Sequence, residues 1–264
     1  VKILLLNPNT SADVTDLLCA AGQRAATPGT ELVPCTAPRG VPYIATRAEA
    51  QIGGAIALEM LAGAHRSVDA AVIAAFGDPG LLGARELFDI PVVGMAEAAM
   101  LTACMLGRRF AIVTFASALG PWYQDCVALH GLEGRCAGVR TLDGAFRSIA
   151  DVQAEKESLL VELANRAVAE DAADVVILSG APLAGLAGKV QDRIPVPLVD
   201  PIAAAVRQAE TLVALAPRKA SAGTFRRPGA KSTHGLPEAL ARRIEHRELP
   251  VNGAENEDPR HAHL

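Results

Sequence analysis

Residues able to do chemistry stand in small-residue loops that follow apolar runs, at four places in the chain. The first run ends in Asn7-Pro8-Asn9-Thr10-Ser11. Asn7 sits at the strand end, where its amide can fix a ligand, with Asn9 beside it. Thr10 or Ser11 can cap the next helix, whose free N–H groups favour a carboxylate or an enolate oxygen. The second loop is Ala75-Phe76-Gly77-Asp78-Pro79-Gly80. Asp78 reads first as the N-cap of a helix begun by Pro79, and second as a general base. In the third loop, Thr114-Phe115-Ala116-Ser117, Thr114 takes the place of Asn7, and its hydroxyl can bind a carboxylate. The fourth, Ser179-Gly180-Ala181-Pro182-Leu183-Ala184-Gly185, has almost no functional groups, and without a nearby His Ser179 is poorly served as a nucleophile. Tyr43 and Thr46 precede a helix whose start can lean over the same space. Trp122 and Tyr123 suit either that space or the core.

Buried strands must hold these loops. Apolar runs at Lys2–Leu6, Thr30–Thr36, Ala70–Ala75, Val92–Gly94, Phe110–Phe115, Gly138–Leu142, Val175–Ser179 and Pro197–Val199 predict eight strands. They are continuous rather than alternating, as for parallel strands covered on both faces. Helical stretches lie between them at Ser11–Ala26, Ala48–Ala64, Ala96–Leu106, Pro121–His130, Ile149–Glu170 and Pro201–Leu215. The order repeats with an offset of about one hundred residues: Phe110–Phe115 restates Lys2–Leu6, Asp174–Gly185 restates Asp69–Gly80, and Pro195–Val206 restates Ile90–Leu101. The expectation is an α/β fold of two pseudosymmetric lobes, each a parallel sheet flanked by helices, with the ligand crevice between the strand C-terminal ends. Residues 1–97 plus about 205–216 form the first lobe in this reading, and 98–204 the second. Residues 217–264 form a C-terminal arm, able to pack on a neighbouring subunit, and a disordered tail.

Composition narrows the function further. The 264 residues are half apolar with a formal charge of -4, so no dense basic face exists for nucleic acid. No apolar run reaches the roughly 18 residues of a membrane span. The opening VKILLL lacks the marks of a signal peptide and reads as a strand, which predicts a soluble, cytoplasmic protein. The five cysteines (Cys19, Cys35, Cys104, Cys126, Cys136) lack CxxC spacing and read as reduced, buried thiols. The six His are dispersed, so no metal site is expected.

The NPNTS run, the AFGDPG loop, the VVGMAEAA segment and the later VDPIAAAV, in register over residues 1 to roughly 216, resemble the Asp/Glu/hydantoin racemase superfamily. The resemblance is to its hydantoin and allantoin racemase branch. It implies the two-lobed fold, a small-molecule substrate, no cofactor, and proton exchange at a carbon beside a carbonyl between two cysteines facing across the substrate. It also implies that those cysteines fall at positions 75 and 180, where this chain has Ala75 and Gly180. Neither can accept or donate a proton. The expected site is therefore a binding surface of Asn7, Asn9, Thr46, Ala75, Phe76, Gly77, Thr114, Gly180, Ala181 and Pro182. Its ligand is a small carboxylate or a hydantoin-like cyclic ureide, handled by enolate-type chemistry without the two thiols. Asp78 and Tyr43 are the residues to test for catalysis. The alternatives are a non-catalytic metabolite binder, or a lyase or hydrolase on the same scaffold. The fold and the long arm also make a homo-oligomer the expectation.

Overall fold

The computed structural model of the chain describes residues 1–144, 147–149 and 151–247. The expected tail from 248 onward lies outside them. Two four-stranded sheets carry the fold, and every pairing in both is parallel. The first holds β1 (Lys2–Asn7), β2 (Glu31–Thr36), β3 (Ala70–Ile73) and β4 (Val92–Gly94) in the order β2-β1-β3-β4. The second holds β5 (Phe110–Thr114), β6 (Cys136–Thr141), β7 (Val175–Leu178) and β8 (Leu198–Val199) in the order β6-β5-β7-β8. The duplicated sequence is thus a duplicated sheet, and each of the eight apolar runs supplies one strand.

Continuous apolar strands bury both faces, because alternate side chains point to opposite sides. On β1, Ile3 and Leu5 join the core that runs through the second lobe, while Leu4 and Leu6 face a second cluster with Ala57, Leu61, Phe88 and Leu240. The covering helices are α1 (Ala12–Ala25), α2 (Arg47–Ala64), α3 (Leu81–Leu87), α4 (Met95–Leu106), α5 (Gly120–Leu129), α6 (Val152–Asp171), α7 (Leu186–Val190), α8 (Pro201–Leu215) and α9 (Glu238–Ile244). Helix α4 follows β4 but crosses to lie on β5, β7 and β8. Helix α8 follows β8 and returns to lie on β3, β4 and α1.

Two short helices, α3 and α7, have no counterpart among the predicted segments. They follow Gly80 and Gly185, which hold matching left-handed conformations (φ 82 and φ 81) at the ends of equivalent loops. Beyond α8 the chain runs back over the first lobe. Lys219 donates to the carbonyls of Arg85 and Glu86, α9 packs on α2, and Arg243, 3% exposed, binds Asp89 and the Leu87 carbonyl. The described part of the arm thus packs on the first lobe of its own chain.

Candidate functional site

Loops from both lobes meet at the strand C-terminal ends, where the two sheets face each other. The cavity there is lined by Asn9, Val14, Tyr43, Ile44, Ala75, Phe76, Trp122, Tyr123, Gly180, Ala181 and Pro182. Ala75 comes from the loop after β3 and Gly180 from the equivalent loop after β7. The aromatic rings close the space: Phe76 stacks against Tyr123 at 4.7 Å, Trp122 against Tyr123 at 5.6 Å, and Tyr43 against Phe115 at 5.8 Å. The volume left is ≈ 20 Å³, room for about one water. A five-membered ring enters only if these side chains move.

Not every predicted residue faces this cavity. The Asn7 amide donates to Asn9 Oδ1, the Ser11 carbonyl and Thr15 Oγ1, while its Oδ1 accepts from Asn9 N. It organises the first loop and leaves Asn9 on the cavity wall. Thr46 caps α2 in a reciprocal pair with Glu49. Thr114 is fully buried, donates to the Ser179 carbonyl and is in hydrogen-bond contact with the Tyr123 hydroxyl. Gly77 instead lies under the Trp122 indole, so close that a Cβ there would meet the ring at 2.3 Å.

Asp78 turns away from the cleft. Its carboxylate accepts from Ala96 N and Glu97 N, both at 2.8 Å, and so caps α4 rather than the helix that directly follows it. Gly94 makes this possible: a Cβ at that position would stand 2.4 Å from the Asp78 carboxyl. In the second lobe Asp200 caps α8 itself through Ile202 N and Ala203 N, and also holds Gly185 N. Burial pushes both carboxyls up, against the pull of these hydrogen bonds.

What remains at the cavity is the Asn9 amide, polar backbone and neutral phenol. Among the described residues the N–H groups of the lining residues Ala75, Phe76, Gly180 and Ala181 make no hydrogen bond. Gln153 of α6 ties the fourth loop down through the carbonyls of Pro182 and Ala184. Burial pushes the Tyr43 and Tyr123 phenols well up, so both are protonated at neutral pH. No cysteine lines the cavity. Gly180 holds φ 110 and ψ 132, and a Cβ on it would lie 2.7 Å from the Phe115 ring.

A family model described as Asp/Glu/hydantoin racemase matches residues 3–209. The chain belongs to the Asp/Glu/hydantoin racemase family. A hydantoin racemase from Pseudomonas sp. (strain NS671) is 35% identical over 245 residues, 92% of this chain and 98% of its own length. Among solved structures, the allantoin racemase from Klebsiella pneumoniae aligns with a TM-score of 0.85 at 35% identity, covering 91% of this chain and 98% of that one. The allantoin racemase of Pseudomonas fluorescens aligns at 0.82 and 31%, covering 89% and 100%. These similarities place the chain in the hydantoin racemase branch of the family. They also match its two-lobed racemase architecture to the sheets described above. No helix among the described residues is long and apolar enough to cross a membrane.

One cluster was missed. Cys126 and His130 stand one helical turn apart at the end of α5, and their side chains meet Asp78 on the far side of the second loop. The i, i+4 spacing of Cys and His was visible in the sequence, since it sets two side chains on one helix face. That Asp78 would turn toward them was not.

Proposed function

We propose that the cleft binds a small carboxylate or a hydantoin-like cyclic ureide and stabilises its enolate form without a thiol base. The observation that carries this reading is the wall itself. Ala75 and Gly180 stand where the resemblance implies proton-transferring thiols, and the backbone N–H groups around them are unused. Such donors stabilise developing negative charge on oxygen. A carboxylate or ureide oxygen would accept from them, with Asn9 at one side of the wall.

A carbon acid needs a base to form an enolate, and among the described residues none lining the cavity is ionised at neutral pH. Asp78 faces α4, and both phenols are protonated. The reaction class that fits is therefore one in which the enolate arises by loss of another group. If a carboxylate leaves as carbon dioxide, the electrons of the broken C–C bond become the enolate pair. A proton from solvent or from a phenol re-equilibrated with solvent then completes the product. This is a lyase reaction on a racemase scaffold. The second reading, a non-catalytic binder, is favoured by Ala75 and Gly180 themselves, which leave the wall without a proton-transferring side chain at either position.

Three measurements on the full chain separate the readings. Incubation in heavy water with hydantoins, allantoin, Asp and Glu should show no α-carbon exchange. Substituted malonates should lose carbon dioxide in the lyase reading. Saturable thermal stabilisation by the same compounds without any turnover supports the binder. Fast protein-dependent α-exchange would overturn both, and its loss in Tyr43→Phe or Asp78→Asn would identify the base.

A further inference from the structure

We infer that Asp78, Cys126 and His130 form a zinc(II) site, separate from the cleft and opening on the other side of the second loop. One ligand atom of each residue lies within 4.8 Å of the others, and Asp78 and Cys126 are buried. His130 Nε2 is 3.5 Å from Asp78 Oδ2. Ligand atoms on a tetrahedral zinc stand roughly 3.3–3.8 Å apart, given bonds of 2.0–2.3 Å. The first pair already has that spacing, and the thiol lies within 4.8 Å of both.

The surroundings suit a cation. His130 Nδ1 lies 3.5 Å from Glu97 Oε1, so the ring is presented by its Nε2 while a carboxylate holds its other nitrogen. Ligating histidines in zinc sites are oriented in this way. Glu97 is itself neutralised by Arg85. One zinc with one carboxylate and one thiolate sums to zero, and Cys126 releases its proton on binding. A mixed sulfur, nitrogen and oxygen set favours zinc over magnesium or calcium. The fourth position has access: a cavity of ≈ 670 Å³, lined by Gly77, Asp78, Trp122 and Cys126, reaches solvent beside the Arg47–Asp125 ion pair.

The test uses the full chain after chelation and dialysis. Titration with cobalt(II) should give one equivalent bound and a thiolate-to-cobalt charge-transfer band, which zinc(II) then bleaches. Cys126→Ser should abolish the band, and His130→Gln should weaken cobalt binding tenfold or more. Circular dichroism on each variant confirms the fold, and the two substitutions serve as independent reporters should one fail to fold. The histidines of the C-terminal segment cannot supply a thiolate band, so cobalt bound only there overturns the inference. Absence of the band, or its persistence in Cys126→Ser, overturns it equally.

Discussion

Consider Ala75→Cys and Gly180→Cys, made separately and then together. Ala75 lines a cavity of ≈ 20 Å³ and is 6% exposed, so one added sulfur takes the place of about one water. A change of that size costs under about 1.5 kcal/mol. Gly180 is different. Its φ of 110 is a glycine conformation, which costs an L-residue roughly 1–3 kcal/mol. Its new Cβ would also stand 2.7 Å from a Phe115 carbon, and overpacking of that kind costs a further ~1–3 kcal/mol. The sum, about 2–6 kcal/mol, is a large share of a typical stability of roughly 5–15 kcal/mol. At about 2–4 °C per kcal/mol for a chain of this size, Gly180→Cys should lower Tm by roughly 5–20 °C and Ala75→Cys by under about 6 °C. Thermal melts and thiol labelling read this directly, and Phe115→Leu should recover part of the Gly180→Cys loss. The double variant should still show no α-proton exchange, because its second thiol has no place to stand. A Gly180→Cys protein melting within a few degrees of the parent, with a fast-labelling thiol, would refute the reasoning. Loop four would then relax freely rather than being held by Phe115.

Other expectations follow from the same contacts. Gly94→Ala drives a methyl into the Asp78 carboxyl and strips the cap from α4, for about 2–5 kcal/mol by chemical denaturation; a loss under about 1 kcal/mol would show that the cap is dispensable. Arg243→Ala removes bonds to Asp89 and Leu87 and the guanidinium over Phe88, costing about 2–4 kcal/mol, whereas Asp89→Asn, at a half-exposed partner, costs far less. Equal losses would mean that the ion pair, not the packing, holds the arm. Glu245 is held at about 2, first by Thr233 and then by Arg247. A carboxyl lowered on folding stabilises the native state above its ordinary value of 4.5, and that contribution is lost as pH falls toward 2. Pepsin cleavage of the arm should therefore rise more steeply in the parent than in Glu245→Gln as pH falls through this window, starting slower than the variant near 4.5 and approaching it toward 2, and identical profiles would discard the explanation.

The strands were legible because they are buried on both faces. Runs such as Lys2–Leu6 and Val175–Leu178 admit no other placement in a helix-covered sheet. Helices α3 and α7 were not, being too short for a periodic signal and set by the turns at Gly80 and Gly185. Within the candidate site, the positions around Ala75 and Gly180 follow from strand ends and could be read in advance. The direction of a polar side chain could not. Asn7 has local hydrogen-bond partners four and eight residues away, and these consume its amide. Asp78 finds N–H groups on α4 because Gly94 leaves space beside them, a coincidence between segments that no local pattern carries.

The crossing of α4 and α8 has a consequence for the molecule as a whole. Each half of the chain lends one helix to the other half's sheet. This is the geometry of a domain swap carried out within a single polypeptide, where the tether keeps the exchanged partner at a high effective concentration. Neither half can cover its own strands unaided. Fragments split near residue 107 would each present a bare sheet face, and would regain order only by reassociating. The intact protein should accordingly unfold as one cooperative unit despite its two sheets. Any widening of the cleft must then be accommodated by sliding the lent helices across their hosts, since neither lobe can swing away without uncovering itself.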